Sequence, residues 1–429
     1  MIFLLLTVSI SFSILHCQAQ EYTFDLDKIE KRSFHLGGYA EINPILFRLD
    51  REAAFYKLRF YEHDEGSTIE KYDMTLQLDG SYEKGIARAF VKTNMNLNHT
   101  YEGWSGATTL YEGFLSLKPS HALTLEMGKK TLKWGKGYAW NPVAFIDRPK
   151  DPDDTALALE GFFVTTLDYI RSFDGPLRTF SFTPAIVPVY GDMNKDFGEA
   201  GHMNVAAKFY FLFLDTDIDV MFLAGGSKPS RYGFDFSRNV TSNFEIHGEA
   251  SWIRDFRKSY IDSDGTLFKT GVNAWNYLLG FRYLTARETT YIFEYYHNET
   301  GFTESEITDY FSFINKGYDT YLSTGNDDLL RKASGLTKGR YGAMNPMRNY
   351  IYLRVSQKEP FDILYFTPSL TWIFNVGDQS FSFSPELIYT GFTNLELRLK
   401  GGVLAGNSLS EYGEKQNDYR LELRARYYF

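Results

Sequence analysis

From residue 34 onward, apolar and polar positions alternate with a period of two, in segments of about ten residues bounded by turn chemistry. The last segment shows this most plainly. Tyr419, Leu421, Leu423, Ala425, Tyr427 and Phe429 alternate with Arg420, Glu422, Arg424 and Arg426. Segment 85–97 behaves alike, with Ala87, Ala89, Val91, Met95 and Leu97 on one side and Arg88, Lys92, Asn94 and Asn96 on the other. Period two marks a strand whose two faces meet different surroundings. The pattern predicts eighteen strands, at 36–48, 71–81, 85–97, 109–118, 121–130, 161–172, 177–189, 203–213 and 216–224, then 231–238, 243–254, 274–284, 288–298, 347–356, 361–374, 380–390, 394–404 and 418–429.

The connections between these segments alternate short and long. Short ones include 82–84, 119–120, 174–176, 214–215, 285–287 and 391–393, and long ones span 49–70, 98–108, 131–160, 190–202, 255–273, 299–346 and 405–417. Two further connections on the long side, 225–230 and 375–379, are short and depart mildly from the rule. Such alternation follows if one barrel end carries tight periplasmic turns and the other carries external loops. A soluble sandwich gives no reason for it. The expected fold is therefore all-β: a closed antiparallel transmembrane β-barrel of about 18 strands, one domain over 34–429. A charge facing lipid costs about 2–4 kcal/mol at the midplane, so the charged rows should point into a wet lumen.

Composition supports this. The chain has 429 residues, 17% of them aromatic, yet its mean hydropathy of -0.31 is polar. No run of 18 apolar residues follows residue 15, which excludes a bundle of membrane helices. Length alone would suggest two or three soluble domains, but no linker or composition shift divides the chain. Tyr72, Tyr111, Trp252, Trp275, Tyr283 and Trp372 fall at strand ends, where interfacial girdles would place them. The net charge of -9 argues against nucleic acid as a partner.

Residues 1–19 read as a signal peptide, almost wholly apolar or hydroxylic through His16 and ending in Cys17-Gln18-Ala19, although no Lys or Arg precedes the apolar run. Residues 20–33 would then be a periplasmic N-terminal segment. Cys17 is the one cysteine, so a chain cleaved after Ala19 has no disulfide, thiolate metal site or covalent haem, and no cofactor of its own is expected.

Candidate chemistry concentrates in 131–160 and its flank. Lys129, Lys130, Lys133 and Lys136 lie beside Trp134, Tyr138 and Trp140, followed by Asp147, Asp151, Asp153 and Asp154. A structureless connection of this length is uncommon unless functional. One reading folds it inward as a pore constriction, whose opposed charges select solutes and whose aromatics form a slide; the other leaves it as a solvated outer loop. The lumen is expected to carry Arg88, Lys92, Arg398, Lys400, Arg420, Arg424 and Arg426 opposite acidic residues that include Glu245 and Glu249. The basic residues gather in the closing strands. Glu245, His247 and Glu249 share a strand face, but without a fourth group they are read as lumen charge and no metal site is assigned. Asp262-Ser263-Asp264-Gly265 lacks the remaining ligands of a calcium loop and is read as a turn.

Thr303 with Glu306 forms a capping box, and Ile307, Tyr310, Phe311 and Ile314 recur at helical spacing, so 299–346 should hold a helix. It is either a lid over the mouth or an amphipathic helix on the rim. A second helix is expected from Asp327 to Ser334, stopped by Gly335. The scattered histidines form no nucleophile–base arrangement, so no enzyme is expected.

Two resemblances refine this. The terminal aromatics Tyr427 and Phe429 resemble the C-terminal insertion signal of Gram-negative outer-membrane barrels, which implies outer-membrane lipid and the barrel-assembly machinery as partners. Lys133-Trp134-Gly135-Lys136-Gly137-Tyr138, followed by Asn141-Pro142, resembles the W-G stretch of uncharacterised porin-like proteins related to alginate-export-type porins. That resemblance implies an eighteen-stranded barrel in the outer membrane of a Gram-negative bacterium, passing a small polar, anionic solute. Monomer and homotrimer both remain open. The alternatives are a barrel sheath within a larger assembly, such as an export machine or a conduit threaded by a multihaem cytochrome, and an outer-membrane hydrolase.

Overall fold

A computed structural model describes residues 33–63 and 65–429. The expected signal peptide at 1–19 and all but Ser33 of the expected 20–33 segment lie outside the described residues. Eighteen strands run in order: β1 (Phe34–Leu49), β2 (Thr68–Lys84), β3 (Ala87–Thr100), β4 (Gly103–Ser120), β5 (Leu123–Lys130), β6 (Phe162–Ser172), β7 (Leu177–Val189), β8 (His202–Phe213) and β9 (Thr216–Ala224). They continue as β10 (Arg231–Thr241), β11 (Phe244–Ile261), β12 (Leu267–Leu284), β13 (Thr289–Asn298), β14 (Asn349–Gln357), β15 (Phe366–Asn375), β16 (Phe381–Phe392), β17 (Leu395–Ala405) and β18 (Asn417–Tyr428). Each pairs antiparallel with its sequence neighbour, and β1 pairs with β18, so the sheet closes without an edge.

The closing register sets Ile42 opposite Ala425 and Leu46 opposite Leu421. The terminal Phe429 joins this seam: its N–H donates to the Gly38 carbonyl at 3.1 Å, and its own carbonyl accepts from the Gly38 N–H at 3.2 Å. On β18 the apolar Tyr419, Leu421, Leu423 and Tyr427 are exposed on the outer face, while Arg420, Glu422, Arg424 and Arg426 are withdrawn inside. The alternation read from the sequence is thus the inside–outside alternation of the wall. Aromatic rows mark the outer face, where Tyr232 stacks on Trp252 at 5.5 Å and Trp252 lies 6.3 Å from Trp275.

All eighteen expected strands are present, but several run longer than the pattern showed. Connections 98–108 and 255–273 are not long loops. β3 and β4 continue to a tight turn at Tyr101–Glu102, and β11 and β12 extend to Ile261 and Leu267, making two tall hairpins. Polar runs such as Asn96–Thr100 hid this, because those strand tips carry polar residues that the alternation test scores as loop. The turn at Asp262 is as expected: its carboxylate accepts from the N–H groups of Asp264 at 3.0 Å and Thr266 at 2.7 Å.

Helices gather at the long-loop rim. α1 (Ala54–Phe60) lies in the β1–β2 connection and was not anticipated, being only seven residues long. α2 (Glu304–Thr324) starts at the expected box: the Thr303 hydroxyl accepts from Glu306 N–H at 3.3 Å while the Glu306 carboxylate accepts from Thr303 N–H at 2.7 Å. α3 (Asp328–Thr337) runs through Gly335 instead of stopping there. Open space around that glycine and a right-handed cap at Lys338 let the helix continue. One apolar cluster joins Ala54 and Leu58 of α1, Ile307 through Ile314 of α2, Leu330 and Ala333 of α3, Trp140 of the 131–160 segment, and Tyr350 and Tyr352 of β14. Lys316 reaches Asp264 of the β11–β12 turn at 2.8 Å, while Lys57 of α1 reaches Asn315 at 3.1 Å. β1 and β11 stand on opposite sides of the barrel. The helices therefore bridge the mouth from side to side, which favours the lid reading over the rim reading.

Candidate solute pathway: the inserted loop and the lumen

The 131–160 segment leaves β5 and turns into the barrel. Left-handed backbone at Lys133 (φ 56°) and Gly135 (φ 96°) makes the turn. A left-handed lysine costs about 1 kcal/mol, so neighbouring bonds must hold it. Acidic side chains of the far wall supply them. Glu249 on β11 accepts from Gly137 N–H at 2.6 Å, Asn141 Nδ2 at 3.0 Å and Val143 N–H at 3.3 Å, and also from Lys136 N–H. Glu294 on β13 accepts from Ala139 N–H at 2.9 Å and lies 3.0 Å from His247 Nε2. Glu245 accepts from the Tyr138 hydroxyl at 2.9 Å and pairs with Arg282 at 3.2 Å. Charge-assisted bonds of this kind are roughly twice as strong as neutral ones. A Cβ at Gly137 would strike the Trp140 carbonyl, so that glycine is required by the turn.

The second half of the segment docks on the opposite wall. Asp153 pairs with Lys400 at 2.8 Å and with Arg420; Asp154 pairs with Arg424 at 2.9 Å and with Arg398 at 3.5 Å. Burial alone would raise the Asp154 carboxyl, but Arg424 and Arg398 outweigh it and hold it below its ordinary value. Lys150 ties the two halves together, donating to the Gly137 carbonyl at 2.7 Å. Asp147 does the same within the first half, accepting from Leu132 N–H at 2.7 Å and Trp134 N–H at 3.0 Å.

This placement corrects several expectations. Lys136 is not a free pore cation, since its ammonium meets Asp219 of β9 at 2.9 Å. Lys129 pairs with Glu160, and Lys130 with Glu126, beside the strand end. The closing-strand cations are largely occupied: Arg398, Lys400, Arg420 and Arg424 hold the loop, and Arg426 pairs with Glu41 at 2.6 Å. Trp134 and Trp140 form no slide. Trp134 is 3% exposed among Val143, Phe145 and Phe162, and Trp140 stacks on Tyr296 at 5.2 Å. Both tryptophans anchor the loop.

What stays open is a cavity of about 450 Å³ between the loop and the β3–β4 wall. Lys92, Glu112, Lys133, Arg148, Lys150 and Asp151 line it, with Ala156 through Leu159 on the loop side. Lys133 is exposed there. Lys92 pairs with Glu112 at 3.3 Å. Arg88 stands apart, exposed at the turn end of β3. Above Lys92 the lumenal face of β3 carries Asn94, Asn96 and Asn98, opposite Gln77, Thr75 and Asp73 of β2.

No protein-family model and no curated protein sequence matches this chain. Solved structures match its architecture. Pseudomonas aeruginosa OpdQ superposes over 92% of this chain and 97% of its own, with a TM-score of 0.53 at 11% identity. The P. aeruginosa outer membrane protein opdK covers 92% of this chain and 98% of its own, with a TM-score of 0.53 at 9% identity. P. aeruginosa OccK2 (OpdF), solved in complex with glucuronate, gives 0.51 at 11% identity, covering 92% and 98%. This is a porin fold.

Within the porin fold, some lumenal residues escaped the sequence reading. Arg148 and Lys150 lie beyond the lysine-rich stretch and look like ordinary loop charge until the chain folds back. The amide wall had a readable signal, asparagine at every second position from 94 to 98. The alternation places Asn94 and Asn96 with Lys92 on the lumenal face; it leaves out Asn98, because the strand runs on past Leu97.

Proposed function

We propose that this chain is an outer-membrane channel of a Gram-negative bacterium for the passive diffusion of small polar, anionic solutes. The observation that carries the reading is the inserted loop, fixed to both walls of the lumen and leaving beside it a cavity lined by Lys92, Lys133, Arg148 and Lys150 together with Glu112, Asp147, Asp151 and Asp154. A porin-fold wall with an apolar outer face and a charged inner face suits lipid outside and water inside. Charged rings at a constriction set selectivity by sign. Lys133 is the exposed loop cation, and Lys92 and Arg148, though paired, present charge to the same cavity. The net charge of -9 is no guide here, because acids such as Glu249 and Glu294 are spent on the loop's backbone. The W-G stretch resembling the alginate-export-type group is the part of the loop that wraps around Glu249. The same loop disfavours a sheath for a multihaem cytochrome, since it crosses the space such a partner would need.

Purified protein in planar bilayers tests the reading. Discrete conductance with an anion-selective reversal potential in a salt gradient is expected. No conductance at any voltage removes the channel, and cation selectivity removes the anion preference.

A further inference from the structure

A second group of cations lies at the long-loop rim, apart from the cavity-lining lysines. Lys228 sits in the β9–β10 connection, its ammonium 3.8 Å from the centre of the Phe197 ring and 5.9 Å from that of Phe162. Arg148 stacks on the same Phe162 at 4.8 Å. Arg231 opens β10, on the lumenal face, and lies within the fields of both Lys228 and Arg340. Arg340 lies over Phe256 at 4.8 Å and donates to the Thr300 carbonyl.

The carboxylates do not balance these charges. Glu160 at 3.2 Å and Asp196 at 3.5 Å both serve Arg148. Glu306, on the Arg340 side, is taken by Lys258. Among the described residues no carboxylate pairs with Lys228, Arg231 or Arg340. Three buried N–H donors, Arg148 Nε, Arg231 Nε and Arg340 Nη1, have no acceptor. Elsewhere in this lumen cations are matched with acids, as at Lys400 and Arg424. Like charges held together at buried positions repel, and an unmet guanidinium donor costs about 1–3 kcal/mol. An anion with several oxygens would remove both costs at once.

We infer that Lys228, Arg231 and Arg340, with Arg148 at their edge, form an oxyanion-docking site at the mouth of the barrel, for a phosphate or carboxylate group. Arg148 also lines the cavity beside the inserted loop, so the docked group lies next to the constriction. Burial and the two neighbouring arginines push the Lys228 ammonium down to about 7, the response of a cation placed without its counter-ion. The site's role as a waiting point for solute rests on the channel reading; its binding of an anion does not.

The test is equilibrium dialysis of the folded, detergent-solubilised full chain with radiolabelled inorganic phosphate. Wild type should bind saturably, and the double variant K228Q/R231Q should bind at least about tenfold more weakly. R88Q, at the exposed turn end of β3 and outside the cavity, should leave the affinity unchanged. Folding is checked by heat-modifiable mobility on gels, and K228Q alone replaces the double variant if that one does not fold. Phosphate binding that survives the substitutions, or no binding by wild type at millimolar phosphate, overturns the site. A protein that binds phosphate in this way yet conducts no current keeps the site and loses the channel.

Discussion

Asp153 of the inserted loop meets Lys400 of β17 at 2.8 Å, and both side chains are largely buried. The contact joins a mid-loop acid to a cation of the closing seam, across the lumen from Glu249. Two walls of opposite sign grip one loop whose halves carry the complementary signs.

The first prediction concerns that grip. Removing one partner of a buried ion pair costs about 3–5 kcal/mol. D153N should therefore release the second half of the loop while the sheet, whose bonds are untouched, stays closed. Single-channel records should show larger and noisier currents than wild type, with unchanged heat-modifiability. Quiet, unchanged currents would mean the pair does not hold the constriction.

Glu249 provides a second test. Its carboxylate accepts from Lys136, Gly137, Asn141 and Val143, and charge-assisted bonds contribute about 1.5–3 kcal/mol each. E249A should free the 135–143 turn. Limited proteolysis of the folded barrel should then nick this stretch, for instance after Lys136 or Tyr138, where wild type resists.

Legibility in the sequence was uneven, and for physical reasons. The strands were readable because lipid on one side and water on the other force a period-two pattern, as from Tyr419 to Phe429. The capping box at Thr303 was readable because it is local. Which partners the charges take was not. Arg420 and Arg424 could be placed in the lumen but not paired, because their partners Asp153 and Asp154 lie far away in sequence and reach them only when the loop folds in. Trp134 and Trp140 suggested a slide for the same reason: whether a loop aromatic faces solute or protein depends on contacts no local pattern encodes. The cations at Lys228, Arg231 and Arg340 come from separate connections and strands, and only closure of the barrel brings them together.

A third prediction follows from Lys228. Burial, with Arg231 and Arg148 beside it, lowers its value to about 7. Below that value the side chain is cationic, and above it neutral; Glu160 and Asp196 pair with Arg148 and not with this ammonium. Anion selectivity should thus fall as pH rises from about 6 to about 8. The linked effect on stability has the opposite sense. The unfolded chain binds the extra proton between about 7 and 10.5, so this residue's contribution to stability improves with pH across that window. K228M should flatten the selectivity profile.

Glu411, in the β17–β18 connection, gives a fourth. It is fully buried, accepts from the Tyr350 hydroxyl at 2.7 Å and Asn375 Nδ2 at 2.8 Å, and burial raises it to about 7 from 4.5. A raised carboxyl keeps its proton in the fold where the unfolded chain has lost it. Its contribution is therefore complete below about 4.5 and lost as pH rises through about 7. Glu411→Gln should remove this pH dependence and stabilise the protein at pH 8 by up to about 3 kcal/mol, read from urea-dependent loss of heat-modifiability.

The central claim is that cations beside the inserted loop set the sign of the ions passed. The most direct measurement is the reversal potential across a salt gradient for wild type and K133E in the same bilayer. Lys133 is the exposed cation of the cavity, so its reversal should matter most. The account predicts an anion-selective potential for wild type and a clear shift toward cations in K133E. A cation-selective wild type, or a K133E potential that does not move, would contradict it.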